Sequence, residues 1–207
     1  MYNITIIDGK GRDTMKLLED RIRTGGKVKE GDILKVDSFL NHQIDIGLMN
    51  EIGREFYRLF GAEPITKIVT IEASGIAIAA IAAQYFGVPI VFAKKAKSKN
   101  IDGDVYTSTI RSYTHSNDYT AMLEKKFLGP DDCILILDDF LATGKAQRGL
   151  LDIAAQAGAR VAGIGICVEK GFQGGGDALR RDGYHLESLA IIERMDPAGV
   201  VFRGAAD

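Results

Sequence analysis

Hydrophobic and polar positions change period several times along the chain, and each change marks an element. Between Met15 and Ile22, Leu17, Leu18 and Ile22 fall on one side of a helical wheel and Lys16, Glu19 and Asp20 on the other. A short amphipathic helix is therefore predicted, stopped by Gly25-Gly26. A second helix is predicted from Asp45 to Phe60, where Ile46, Met49, Ile52, Phe56 and Phe60 recur at helical spacing. Apolar runs then alternate with helical patterns. Lys67 to Ile71 and Val88 to Ala93 read as strands on either side of an alanine-rich helix, Gly75 to Phe86, and a strand-helix-strand unit of this kind implies a parallel sheet.

From Lys94 to His115 no period is sustained, and the stretch is rich in Lys, Ser, Thr and Asp; it is expected to be a long excursion holding a pair of weak strands. Thr120 to Phe127 is assigned to a strand, although Leu123, Glu124, Lys125 and Lys126 suit a helix nearly as well. Cys133 to Leu137 is the continuous apolar run expected of a strand covered on both faces, and Gly144 to Gln156 is the helix after it. Arg160 to Val168 repeats the strand pattern. Gly174-Gly175-Gly176 reads as a flexible turn before a short helix, Gly176 to Arg181, and Tyr184 to Ile192 and Gly199 to Phe202 supply late strands. The fold class is α/β, a central and mainly parallel sheet flanked by helices, with a small hood formed partly by the amino-terminal third. Residues 1–14 show no helical face and are expected to be an amino-terminal extension, with Met15 as an alternative start, while residues 15–207 are expected to form a single domain.

Composition narrows the function classes. A net charge of −2 is too small to draw in a polyanion through the general field, so nucleic acid is not an expected partner and any phosphate chemistry must come from a local site. The two cysteines, Cys133 and Cys167, each lie inside an apolar segment and form neither a disulfide framework nor a metal-ligand cluster. No run approaches the roughly 18 apolar residues of a membrane span, and Met1 to Lys10 has no secretory pattern. A cytoplasmic protein without a membrane partner is expected. His42, His115 and His185 lack metal-like spacing and receive no role.

The chemistry is concentrated in Ile134-Leu135-Ile136-Leu137-Asp138-Asp139-Phe140-Leu141-Ala142-Thr143-Gly144-Lys145-Ala146. Two acids emerge at the carboxyl end of an apolar strand, where open α/β sheets place their ligand crevice. A Thr-Gly pair then opens a helix. Helix starts offer unpaired N–H groups and the positive end of a dipole, Thr143 adds a hydroxyl, and Gly144 admits a phosphate close to the backbone. The carboxylates of Asp138 and Asp139 suit the hydroxyls of a ribose, so loop and acids together describe a site for ribose 5-phosphate. Neither a P-loop nor a dinucleotide fingerprint is present.

Other residues keep two readings. Glu72-Ala73-Ser74-Gly75 joins a strand to a helix, so Ser74 and Gly75 either bind pyrophosphate or cap the helix. Of the lysines that open the excursion, Lys94 or Lys95 stands where a departing pyrophosphate would need a cation. Lys97 and Lys99 are equally a solvated face. Ser108 to Thr114 either closes over a ligand or forms a surface hairpin. Phe172 either stacks on a purine or joins the core.

The acid pair and Thr-Gly loop resemble the signature of type I phosphoribosyltransferases. Leu34 to Asp45, Ile68 to Ile76 and Val168-Glu169-Lys170 extend the resemblance to the bacterial xanthine phosphoribosyltransferase family, over about Met15 to Phe202. This resemblance implies transfer of a phosphoribosyl group from phosphoribosyl pyrophosphate to xanthine, giving xanthosine monophosphate and pyrophosphate in purine salvage. It implies that Leu34, Asn41 and Lys170 contact xanthine, that Asp138, Asp139 and the loop Ala142, Thr143, Gly144, Lys145 and Ala146 bind phosphoribosyl pyrophosphate, and that the chain is a homodimer. Magnesium is expected to arrive with phosphoribosyl pyrophosphate rather than at a dedicated protein site. Ala142 and Ala146 depart from commoner forms of the signature. Ala146 removes one hydroxyl, and Ala142 removes the acid that in hypoxanthine-guanine relatives is a candidate for the purine proton. Two alternatives stay open: a phosphoribosyltransferase for guanine, hypoxanthine, adenine or orotate, and a non-catalytic sensor of phosphoribosyl pyrophosphate, although no helix-turn-helix or basic segment accompanies the latter.

Overall fold

A computed structural model describes residues 15–96, 104–110 and 119–204; the expectations for residues 1–14, for Lys97 and Lys99, and for positions 111–115 of the excursion lie outside them. Ten strands and five α-helices run in the order α1 (Lys16–Gly25), β1 (Lys27–Lys29), β2 (Ile33–Lys35), α2 (Ile46–Phe60), β3 (Lys67–Ile71), α3 (Gly75–Phe86), β4 (Ile90–Ala96), β5 (Val105–Ile110), β6 (Tyr119–Glu124), β7 (Cys133–Leu141), α4 (Lys145–Ala157), β8 (Arg160–Lys170), α5 (Gly175–Arg181), β9 (Leu186–Asp196) and β10 (Gly199–Phe202) among the described residues. β1 and β2 form a separate hairpin, and the other eight strands form one sheet in the order β10-β9-β8-β7-β3-β4-β6-β5. Its five middle strands, from β9 to β4, are parallel, with antiparallel strands at both ends.

Chain order reverses between β3 and β7: β3 leads to β4 on one side, and β7 leads to β8 on the other. At such a reversal the loops leaving two adjacent strand ends part in opposite directions and leave a crevice. Both phosphate-binding segments expected from the sequence, after β3 and after β7, therefore open onto one place.

β7 is buried on both faces, as its apolar run predicts. Leu135 and Leu137 pack into a core with Met49, Ile52 and Phe56 of α2, while Ile134 and Ile136 pack into a second core with Leu150 and Ile153 of α4. Fully burying each such side chain is worth about 1.5–3 kcal/mol. The double layer thus fixes the height at which Asp138 and Asp139 leave the strand.

Several boundaries differ from the sequence reading. β4 runs on to Ala96 because antiparallel pairing with β6 (Lys94 with Met122, Lys95 with Ala121) holds two polar residues in the ladder. Lys125–Phe127 is a 3-10 turn rather than the end of a strand. The hairpin of β1 and β2 and the π-helical turn Asp37–Asn41 complete the amino-terminal third. α2 is capped by Asp45, whose Oδ1 accepts from the Leu48 N–H at 3.1 Å.

Candidate active site

Asp138 and Asp139 lie near the carboxyl end of β7, just before Phe140 and Leu141, and are unlike each other. Asp138 turns inward and is buried at 5% exposure. Its Oδ2 accepts from Gln147 Nε2 at 2.8 Å and its Oδ1 from the Asp139 N–H at 3.0 Å. Burial, followed by the neighbouring Asp139 charge, pushes its carboxyl well above the usual carboxylate range, and Lys95 acts in the opposite sense. Asp139 is half-buried. Its Oδ1 accepts from the Phe140 N–H at 2.9 Å and its Oδ2 from Asn41 Nδ2 at 3.3 Å. One acid belongs to the sheet, and the other reaches the amino-terminal hood.

The loop after β7 has its shape imposed from below. Gly144 sits at φ 80°, left-handed backbone that glycine adopts without the Cβ penalty, and it precedes the first residue of α4. Beneath it lies Gly175, whose N–H donates to the Ala142 carbonyl at 3.2 Å. A Cβ on Gly175 would run into that carbonyl and the Thr143 backbone and would lie 2.6 Å from the Gly144 nitrogen. A Cβ on Gly176 would run into the Glu169 carboxylate. Within the glycine triplet expected to be a flexible turn, Gly175 is therefore the floor of the loop and Gly176 packs on Glu169. Glu169 is fully buried and accepts from Arg180 at 2.7 and 3.0 Å and from Ser188 Oγ at 2.5 Å.

Across the crevice, Glu72 is joined to Ala73 by a cis peptide. Ser74 precedes α3 without a capping hydrogen bond from its side chain. Gly75 is buried against Thr70 Oγ1, and a Cβ there would stand 3.1 Å from Asp138 Oδ1. Thr70 Oγ1 is itself buried and has no hydrogen-bond partner among the described residues. The start of α3 and the end of β7 are thus in direct contact.

On the pyrophosphate side the two candidate lysines part. Lys94, expected there, lines a depression with Phe92, Met122 and Glu124. The next residue, Lys95, points to the opposite face of the strand. Lys95 acts on the Asp138 carboxyl and lies 5.2 Å from the Tyr119 ring centre, and its N–H donates to Glu72 Oε1 at 2.6 Å. Because β4 continues through both residues to Ala96, alternation sets the two lysines on opposite faces of the strand.

The residues expected at the base gather around the hood. Leu34 is buried in the hairpin. At the turn of that hairpin, the Asp32 carbonyl accepts from Lys170 Nζ at 2.7 Å, and the ammonium lies 5.9 Å from the Phe140 ring centre. Burial lowers the Lys170 pKa. Phe172 is exposed at 38%, outside the core. The sequence reading missed Gln147, Gly175, Thr70 and Asp32; only the position of Gln147, one turn into the helix after the acids, could have drawn attention to it.

A mainly parallel sheet with two acids, a Thr-Gly loop and a second helix start at its reversal point has the layout of a nucleotide-handling α/β protein. The chain belongs to the phosphoribosyltransferase family: the model of the phosphoribosyl transferase domain matches residues 35–196. It is 61% identical, over 92% of its length and 99% of the relative's, to a protein of Lachnoclostridium phytofermentans named xanthine phosphoribosyltransferase. A protein of the same name from Bifidobacterium longum subsp. infantis is 57% identical over 88% of this chain and 95% of its own. Among solved structures, the adenine phosphoribosyltransferase of Giardia lamblia complexed with 9-deazaadenine superposes with a TM-score of 0.71 at 25% identity, covering 86% of this chain and 98% of that one.

Proposed function

We propose that the chain is an enzyme of purine salvage that transfers the phosphoribosyl group of phosphoribosyl pyrophosphate to xanthine, releasing pyrophosphate and forming xanthosine monophosphate. The observation that carries the two-substrate site is the hydrogen bond from Asn41 to Asp139, which joins a side chain expected at the base to an acid expected at the sugar. The choice of xanthine is supported by the similarity to relatives that bear that name.

In this reading Ala142 to Ala146 hold the 5-phosphate at the start of α4, and Asp138 and Asp139 accept from the ribose hydroxyls. Ser74, Gly75 and Lys95 take the pyrophosphate, while Leu34, Asn41 and Lys170 surround the purine. The C1′–O bond to pyrophosphate breaks as a purine nitrogen bonds to C1′, and the proton of that nitrogen passes to solvent. The residues contribute position and electrostatics: the sugar is fixed at three places while negative charge gathers on the leaving group beside Lys95. Magnesium is expected to arrive with phosphoribosyl pyrophosphate, where it would neutralise the pyrophosphate; each oxygen of the two acids accepts one amide N–H and keeps a lone pair for a ribose hydroxyl.

We further place the enzyme in the cytoplasm as a homodimer. The two buried, unpaired cysteines support a reducing compartment, and no helix of the described residues is long and apolar enough to cross a membrane. The exposed Phe92 and Phe127 beside the β4–β6 face support a surface covered by a second copy. Sedimentation at the mass of a single 22.5 kDa chain would contradict the dimer. For the reaction itself, pyrophosphate release is measured with xanthine, guanine, hypoxanthine, adenine and orotate in turn. Release is expected to be fastest with xanthine. A preference for another base refutes xanthine, and no release with any base leaves a sensor of phosphoribosyl pyrophosphate.

A further inference from the structure

We infer that Gln147 is a positioning residue for phosphoribosyl pyrophosphate: its amide spans the phosphate loop from below and holds Asp138 in the orientation in which its carboxylate accepts from the substrate. The inference rests on the phosphoribosyl transfer proposed above and assigns a duty to a residue outside the loop signature. Gln147 lies in the first turn of α4 and is only 1% exposed. Its Nε2 donates to Asp138 Oδ2 at 2.8 Å and to the Phe140 carbonyl at 3.2 Å. These two bonds tie the start of the helix to the last residues of β7, across the loop that joins them. A long polar side chain is rarely buried without such a task, since an unmatched amide in the core costs more than its bonds return.

The chemistry follows from what surrounds Asp138. Asp139 is adjacent on β7, Thr70 and Gly75 press from β3 and the start of α3, Lys95 acts from β4, and Cys167 and Tyr119, from β8 and β6, have their own pKa values raised in part by its charge. Burial and the Asp139 carboxylate oppose its ionisation, while the Asp139 N–H and the Lys95 charge favour it among the described residues. A neutral carboxyl offers a proton where a ribose hydroxyl needs an acceptor. The Gln147 N–H on Oδ2 favours the ionised form, so Gln147 extends the acceptor state of Asp138 to lower pH.

The test is calorimetric binding of magnesium phosphoribosyl pyrophosphate from about pH 5 to about pH 8, a span that covers a raised carboxyl, alongside thermal melts. Q147M keeps side-chain length and removes the donor. It is expected to bind about tenfold more weakly, with the acid-side loss of binding starting at higher pH than in the wild type. Q147E sets a second carboxylate against Asp138, and its defect is expected to be largest at high pH and to shrink as pH falls and a proton is shared by the pair. Should Q147M fail to fold, Q147E carries the test. A loss that is the same at every pH in either variant, or wild-type binding by Q147M, overturns the inference. Wild-type turnover measured in parallel keeps the outcomes apart, because its absence fails the transferase reading, whereas unaltered variants beside an active wild type fail only Gln147.

Discussion

The sheet-borne half of the site and the hood-borne half are built on different principles. Asp138, the loop after β7 and Gly75 are set by β3 and β7, strands with apolar neighbours on both faces; Gln147 and Gly175 hold the loop after β7, and Thr70 and Asp138 close on Gly75. Leu34, Asn41 and Lys170 are set by a hairpin of two three-residue strands, a π-helical turn and a strand end; Leu34 joins the apolar core, while Asn41 and Lys170 meet Asp139 and Asp32 through single polar contacts of 3.3 and 2.7 Å. The first half is over-determined by packing and suits a substrate part that never changes. In the proposed reading the second faces the base, where changes of a few side chains would adjust selectivity without rebuilding the fold. Asp139 is the seam, bonded to the Phe140 backbone on one side and to Asn41 on the other.

The division is broken most forcefully from below the loop. Gly175→Ala puts a Cβ where the Ala142 carbonyl and Thr143 backbone stand, and a loop displaced by about 1 Å is expected to cost about a hundredfold in kcat/KM for phosphoribosyl pyrophosphate. Selectivity among bases should stay as it was. Steady-state kinetics check it, and a changed base ranking with intact use of phosphoribosyl pyrophosphate would erase the boundary between the halves.

Asp138→Asn is expected to lower kcat/KM for phosphoribosyl pyrophosphate about ten- to hundredfold, the worth of hydrogen bonds to a charged acceptor. Its effect on stability has the opposite sign. Folded Asp138 holds its proton more tightly than the unfolded chain does, so between the two pKa values the folded state carries the extra proton and stability falls as pH rises. The neutral amide escapes this loss. Thermal melts should show a higher Tm for the variant at neutral pH, an advantage that fades as pH falls below the unfolded carboxylate range; a lower Tm at neutral pH would show that the buried charge is better compensated than its neighbours indicate.

A smaller effect is expected at the seam. Asn41→Ala frees Asp139 Oδ2 and removes a donor and acceptor from the base side, and KM for the base should rise about fivefold to tenfold with KM for phosphoribosyl pyrophosphate nearly unchanged. Equal rises in both would mean that Asn41 serves mainly to hold Asp139.

The same contrast explains what could be read from the sequence. The β7 run, the acids and the Thr-Gly loop were legible because a strand buried on both faces is written as a continuous apolar string, and because the chemistry follows it without a gap. The α/β class followed for the same reason. The hairpin was not legible, since Lys27–Lys29 and Ile33–Lys35 are too short to show a period. Nor was the choice between Lys94 and Lys95, which depends on β4 continuing through polar residues under pairing from β6. Gln147 reads as an ordinary solvent-facing residue of a helix start, and Gly175 as a turn, because only the distant ends of β7 and β8 make them buried. The sequence signature of the family supplied Leu34, Asn41 and Lys170, which the local pattern alone leaves as core, cap and surface.

The most direct test of the division between the two halves is the ratio of kcat/KM for xanthine to that for guanine, in the wild type and in Lys170→Ala, with KM for phosphoribosyl pyrophosphate measured in both. Xanthine should be preferred by the wild type, and Lys170→Ala should lower the ratio about tenfold while leaving KM for phosphoribosyl pyrophosphate in place. An unchanged ratio, or a loss confined to phosphoribosyl pyrophosphate, would contradict the assignment of base choice to the hood.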